Sequence, residues 1–229
     1  GGVDTLGALI APEGGARARR PLRVSERPGG LLRELGRGAL SLSGLRALLR
    51  AAGDLPVLGR VLAANPGSAL RTAERLADEG VRGLVLDLPP GDSHAAGEAV
   101  AQVLAAVDLP LIAQVPLQGS LALAEAAYEA GADALLVAGP ARGLAAYEDP
   151  RSPAPVEVHG PLLHPLYLQA VREVARRVPL PIIARGGIHT PADAQAFLAQ
   201  GAMAVAVDSL AYVDPAAVAA VARALEIGP

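Results

Sequence analysis

Apolar residues in this chain fall into short runs without helical period, and most of these runs precede a longer stretch where they recur every three or four positions. The runs occupy 5–11, 58–64, 83–88, 111–115, 134–137, 180–184 and 202–207. Each is too short for a helix and reads as a buried strand. The periodic stretches between them predict helices over 42–52, from the Asn65-Pro66-Gly67-Ser68 cap to Glu79, from 93 to 107, to Ala130, from Gly160-Pro161 to Val178, from Thr190 to Gly201, and over 214–226. A further helical piece is expected over 31–36. The segments 12–30 and 139–160, rich in Arg, Gly, Pro and polar residues, are expected to be long loops over one end of the molecule.

Strands and helices alternating at this spacing argue for parallel strands closed into a (β/α)8 barrel rather than an open sheet. The expectation is one domain spanning 1–229. Seven strands are visible where a closed barrel has eight. The eighth either hides in a loop or belongs to a βα unit before Gly1, and a start without Met favours the second reading.

Composition narrows the chemistry. Hydrophobic residues make up 52% of the chain and aromatics only 2%, so the core must be Ala, Val, Leu and Ile, the residues that fill parallel barrels. There is no cysteine, which excludes thiol catalysis and thiolate metal sites, and no lysine, which excludes Schiff-base chemistry. A net charge of −3 offers no basic field for nucleic acid, and no apolar run approaches the ~20 residues of a spanning helix. A cytoplasmic protein without nucleic-acid or membrane partners is expected.

The stretch 179–210 carries the clearest motif. An apolar run ends at Gly186-Gly187, Thr190-Pro191-Ala192-Asp193 opens a helix, Gly201 closes it, and a second apolar run ends at Asp208-Ser209. Two adjacent parallel strands with glycines and a hydroxyl at their carboxyl ends resemble the phosphate cup of a barrel. Gly160, Gly186, Gly187 and Ser209 are the candidate contacts of a phosphate or cofactor.

The ordered set of motifs resembles the dihydroorotate dehydrogenase family of FMN-dependent barrels over nearly the whole chain. The set comprises Leu6-Gly7-Ala8-Leu9-Ile10, the run from Arg23 to Leu32 with its Pro28-Gly29-Gly30, and the stretch from Glu74 to Val81. It continues with Ala130-Gly131-Ala132-Asp133, Gly160-Pro161-Leu162-Leu163-His164-Pro165, Ala184-Arg185-Gly186-Gly187-Ile188 and Gly201-Ala202. The resemblance implies a TIM barrel, here without its first βα unit, with FMN as the cofactor and an oxidoreductase activity. The side chains that the family uses for that activity are absent. Pro90 stands where the family has its Cys or Ser base, and Pro cannot accept a proton. Gln114 and Pro12 stand in place of lysines beside the flavin, Gly139-Pro140 in place of a substrate-binding Asn-Thr, and Arg33 in place of an Asn. Asp208 replaces a glycine beside the phosphate. A carboxylate about 4 Å from a phosphate dianion costs several kcal/mol at an effective dielectric near ~20. Arg185 is expected to neutralise it through an ion pair.

Other residues admit chemistry as well. His94, His159, His164 and His189 follow strands on the face where barrels keep active sites, and Asp87 and Asp92 lie there too. Asp92 and His94 are the candidate base or acid, although a turn and a solvated loop explain them equally. No metal site is expected. Glu157 and His159 are expected to cover the barrel mouth as a lid. Three functions remain open: a divergent barrel that does not oxidise dihydroorotate and keeps a phosphate or FMN-type pocket, an FMN oxidoreductase on another substrate, and a cofactor-free lyase or isomerase of a phosphorylated metabolite. A partner chain or homo-oligomer is expected to cover the strand edges of an incomplete barrel.

Overall fold

The computed structural model describes residues 9–10, 23–35, 41–63, 66–147 and 149–226. Its body is a parallel sheet of seven strands in the order β1 (Leu9–Ile10), β4 (Val57–Leu62), β5 (Gly83–Asp87), β6 (Leu111–Val115), β7 (Ala134–Val137), β10 (Ile182–Arg185) and β11 (Ala204–Ala206). All seven coincide with the expected runs. Each ladder is parallel; Leu58 pairs with Gly83, Leu84 with Leu111, Ile112 with Ala134, Ile182 with Leu135 and Ile183 with Ala204. The sheet curls as part of a TIM barrel.

Central strands are apolar on both faces because each is covered twice, by the barrel interior and by helices. Leu84, Val85 and Leu86 are all fully buried, as are Leu111, Ala113 and Val115. The covering helices are α1 (Leu42–Ala52), α2 (Pro66–Asp78), α3 (Ser93–Ala106), α4 (Ser120–Glu129), α5 (His164–Ala175), α6 (Pro191–Ala199), α7 (Leu210–Val213) and α8 (Pro215–Glu226). Their inner faces are small: Ala96, Ala99 and Val100 on α3, Ala124 and Ala127 on α4, Ala194 on α6. The one Phe, Phe197, is fully buried on α6 and meets the His164 ring edge-on at 4.8 Å.

Helix starts follow the expected signals. Thr190 caps α6, accepting from the Asp193 N–H, while the Asp193 carboxylate returns a bond to Thr190 N at 2.8 Å. This is a capping box. Asp92 caps α3 in the same way, accepting from Ala95 N at 3.0 Å.

The two segments expected as loops are not loops in their described parts. Residues 24–34 form a hairpin of β2 (Val24–Arg27) and β3 (Gly30–Glu34), so residues 31–34 of the helical piece expected over 31–36 are strand instead. The strands β8 (Ala141–Ala145) and β9 (Ala154–His159) pair antiparallel as a second hairpin. The hairpins join through β3 and β9 into a four-stranded antiparallel sheet in the order β2-β3-β9-β8. The physical cause is the turn at Pro28-Gly29, where Gly29 takes a φ of 82° that a side chain would resist, together with pairing between two segments far apart in sequence. Propensity within either segment alone carried little of that signal. The start of the first strand, Asn65 and Pro12 lie outside the described residues.

Candidate functional site at the barrel mouth

The antiparallel sheet reaches across the carboxyl ends of the parallel strands, and a continuous ionic network fills the space between them. Asp87, the last residue of β5, receives Arg60 Nη2 from β4 at 2.8 Å and Gln114 Nε2 from β6 at 2.6 Å. Arg142, from β8 of the covering sheet, comes within 3.5 Å of the same carboxylate. The Gln114 carbonyl oxygen in turn accepts from Arg185 Nη1, at the end of β10, at 2.9 Å. Arg185 Nε donates to Asp208 Oδ2 at 3.0 Å, so the ion pair expected from sequence is present.

His159, at the end of β9, also donates Nδ1–H to Asp208 Oδ2, at 3.2 Å. Its other nitrogen lies 3.4 Å from Glu157 Oε2. Arg33 Nε on β3 bonds that Glu157 oxygen at 2.6 Å, and Arg60 lies 3.8 Å from the other oxygen. The Ser209 backbone N–H donates to Asp208 Oδ1. Glu157 and Gln114 are fully buried, and Arg60, Asp87 and His159 are nearly so.

Such burial is tolerated only because each charge meets an opposite one. Burial alone would push the Asp208 carboxyl up, but Arg185, His159 and the Ser209 N–H hold it far below the usual carboxylate range. Glu157 behaves alike: burial opposes its charge, while His159 and Arg33 hold its carboxyl far down. Burial would lower the His159 value, yet Asp208 and Glu157 hold it above its ordinary one, against Arg185. Burial pushes the Tyr167 phenol up to about 12, and its oxygen accepts from Ala141 N at 2.9 Å.

A pocket of about 670 Å³ opens beside this network, lined by residues that include Gly29, Gly30, His159, Gly160, His189 and Ser209. Two of the four expected phosphate contacts, Gly160 and Ser209, therefore face it. Gly186 and Gly187 turn toward α5 instead. A Cβ at Gly186 would run into the Tyr167 ring, and one at Gly187 would stand 2.8 Å from the His164 backbone nitrogen. Helix packing and the φ values of 117° and 69° require glycine at both positions whether or not an anion meets their N–H groups. His189 Nε2 lies 3.3 Å from Ser209 Oγ, and His164 Nε2 lies 3.2 Å from the Asp193 carbonyl oxygen.

The structure does not bring Asp92 and His94 into the network. The Asp92 carboxylate caps α3, and the His94 side chain is 87% exposed beside Glu98. Among the described residues no three His, Asp or Glu side chains are grouped as metal ligands. No described helix is long and apolar enough to cross a membrane. Arg60 and Arg142 were not singled out from the sequence. The signal for Arg60 was there: one cation inside the apolar run Val57-Leu58-Gly59-Arg60-Val61-Leu62 must meet an anion if that run is a buried strand.

Comparison with known proteins agrees with this architecture. The family described as nitronate monooxygenase matches residues 93–213. The catalytic subunit of dihydroorotate dehydrogenase B (NAD(+)) from Desulforudis audaxviator is 32% identical over 248 residues, covering 96% of this chain and 80% of the relative. The corresponding subunits from Geotalea uraniireducens and Pelobacter propionicus are each 30% identical, covering 99% of this chain and 80% of the relative. With the seven parallel strands in barrel order and these similarities over nearly its full length, the chain belongs to the dihydroorotate dehydrogenase family of FMN-dependent TIM barrels.

Proposed function

We propose that this chain is a divergent member of its family that does not oxidise dihydroorotate, that does not hold FMN in a redox pose, and that keeps the pocket beside Ser209 for another small molecule. The observation that carries this reading is the Asp208 carboxylate, which receives Arg185 Nε, His159 Nδ1 and the Ser209 N–H. A flavin phosphate at the end of β11 would need the same donors. It would also lie beside the like charge of the Asp208 carboxylate, with Arg185 and His159 already engaged by that carboxylate. The residues present therefore do not fit FMN.

A second observation points the same way. A flavin ring requires donors beside its electron-rich edge, and Gln114 has spent both ends of its amide, one on Asp87 and one on Arg185. Pro90, by residue type, supplies no base. The two other readings, a flavin oxidoreductase on another substrate and a lyase or isomerase of a phosphorylated metabolite, both place a phosphate in the cup of Gly160, Gly186, Gly187 and Ser209, and the neighbouring Asp208 carboxylate weighs against them.

A partner chain belongs to the same proposal. Leu162, Leu166, Tyr212 and Val213 are exposed, and two of them, Tyr212 and Val213, line the pocket. The relatives are named as catalytic subunits, which is consistent with assembly. The test is an assay of dihydroorotate oxidation after incubation with excess FMN and an artificial electron acceptor. No turnover is expected, and turnover dependent on FMN would overturn the proposal.

A further inference from the structure

The donors that converge on Asp208 form a receptor whose occupant is part of the chain. Arg185 Nε at 3.0 Å and His159 Nδ1 at 3.2 Å share Oδ2, while the Ser209 N–H meets Oδ1. A guanidinium, an imidazole N–H and a backbone amide around one carboxylate are the parts of an oxyanion site. Their directions do not depend on Asp208 alone. Gln114 holds the far side of the Arg185 guanidinium at 2.9 Å, Asp87 holds Gln114 at 2.6 Å, and Glu157 stands 3.4 Å from the outer nitrogen of His159. The receptor is also within reach of a ligand, since His159 and Ser209 line the pocket of about 670 Å³.

We propose that Asp208 is a tethered anion, and that the receptor around it takes a small external oxyanion, a carboxylate or a phosphate, once that side chain is removed. This rests on the reading that the unaltered chain holds no flavin there. Asp208 then acts as the specificity residue of the pocket. An external oxyanion must compete with a carboxylate present at intramolecular concentration, and after displacing it must still lie beside the same negative charge. Ligands of the unaltered protein are accordingly selected to be uncharged at the end that meets His159 and Ser209.

Chemical rescue tests the inference. Asp208→Gly leaves Arg185 and His159 facing a vacated space, so its melting temperature should fall and should be restored in a saturable way by sodium phosphate or sodium acetate, but not by sodium chloride at equal ionic strength. The unaltered protein should show no such response, and the double variant with Arg185→Gln should lose the rescue. If Asp208→Gly is unfolded in anion-free buffer, recovery of its native circular dichroism on adding phosphate or acetate supports the inference, and failure to recover overturns it. An equal response in the unaltered protein, or rescue that survives Arg185→Gln, also overturns it. Uptake of FMN by the unaltered protein would instead sink the functional reading, while the rescue experiment would still be decided by acetate and phosphate.

Discussion

The parallel sheet, buried on both faces in its central strands, and the antiparallel sheet above it, whose outer strands β2 and β8 are largely open to solvent, are held by opposite means. In the parallel sheet, Leu84, Leu86, Leu111 and Leu135 are fully buried and belong to one apolar core, so stability follows from area removed from water. In the antiparallel sheet, β9 turns Glu157 and His159 toward the barrel, and the pairs Arg60–Glu157, Arg142–Asp87 and His159–Asp208 fasten the sheet to it. Apolar burial tolerates approximate geometry, whereas a buried ionic network gains nothing unless every member is met. The barrel body therefore sets the fold, and the network sets what the mouth can admit.

The sharpest way to break this comparison is to cut each region once. Phe197→Ala empties a fully buried site in the barrel body and should cost about 3–5 kcal/mol in denaturant unfolding; a cost near zero would mean that the core does not hold the fold. Glu157→Ala removes the carboxylate that Arg33 and His159 share and should cost about 3 kcal/mol, the lower end for a broken buried pair. Because the pair is shielded from solvent, that loss should change little between low and high salt. A strongly salt-dependent loss would show that the network is wetter than its burial indicates.

Smaller effects should appear with pH. The folded value of His159 is raised, so its contribution is complete below about pH 6.5 and is lost as pH rises through the raised value. The melting temperature of the unaltered protein should thus decline relative to that of His159→Gln on the alkaline side. Asp208 and Glu157 have depressed values, so their contributions are complete above about pH 4 and are lost as pH falls toward those values. Asp208→Asn should therefore flatten the acid limb. The smallest effect is expected outside both regions: Arg46 meets Glu79 through two short bonds on the surface, and Arg46→Ala should leave the melting temperature unchanged within error at physiological salt.

These contrasts also explain what could be read from the sequence. Runs such as Gly83–Asp87 and Leu111–Val115 are apolar because both of their faces are covered, and such runs identify themselves without partners. Gly30–Glu34 and Ala154–His159 carry charged residues, Arg33 and Glu157, that are each other's partners, so neither reads as a strand until the other is placed beside it. The Arg185–Asp208 pair was legible because both residues stand at the ends of adjacent strands in a recognisable unit. Its extension to His159 was not, because nothing local ties position 159 to position 208. The glycine pair 186–187 is ambiguous from the sequence, since packing against Tyr167 and His164 demands glycine there just as a phosphate cradle would.

The central claim is that the protein's own carboxylate occupies the place where the family's cofactor would anchor. Titration of the purified, unaltered protein with FMN, followed by visible absorbance after removal of free flavin and by quenching of flavin fluorescence, tests it most directly. The account predicts a colourless protein with no quenching, alongside Asp208→Gly that gains both signals. Flavin absorbance retained by the unaltered protein, with Asp208 in place, would contradict it.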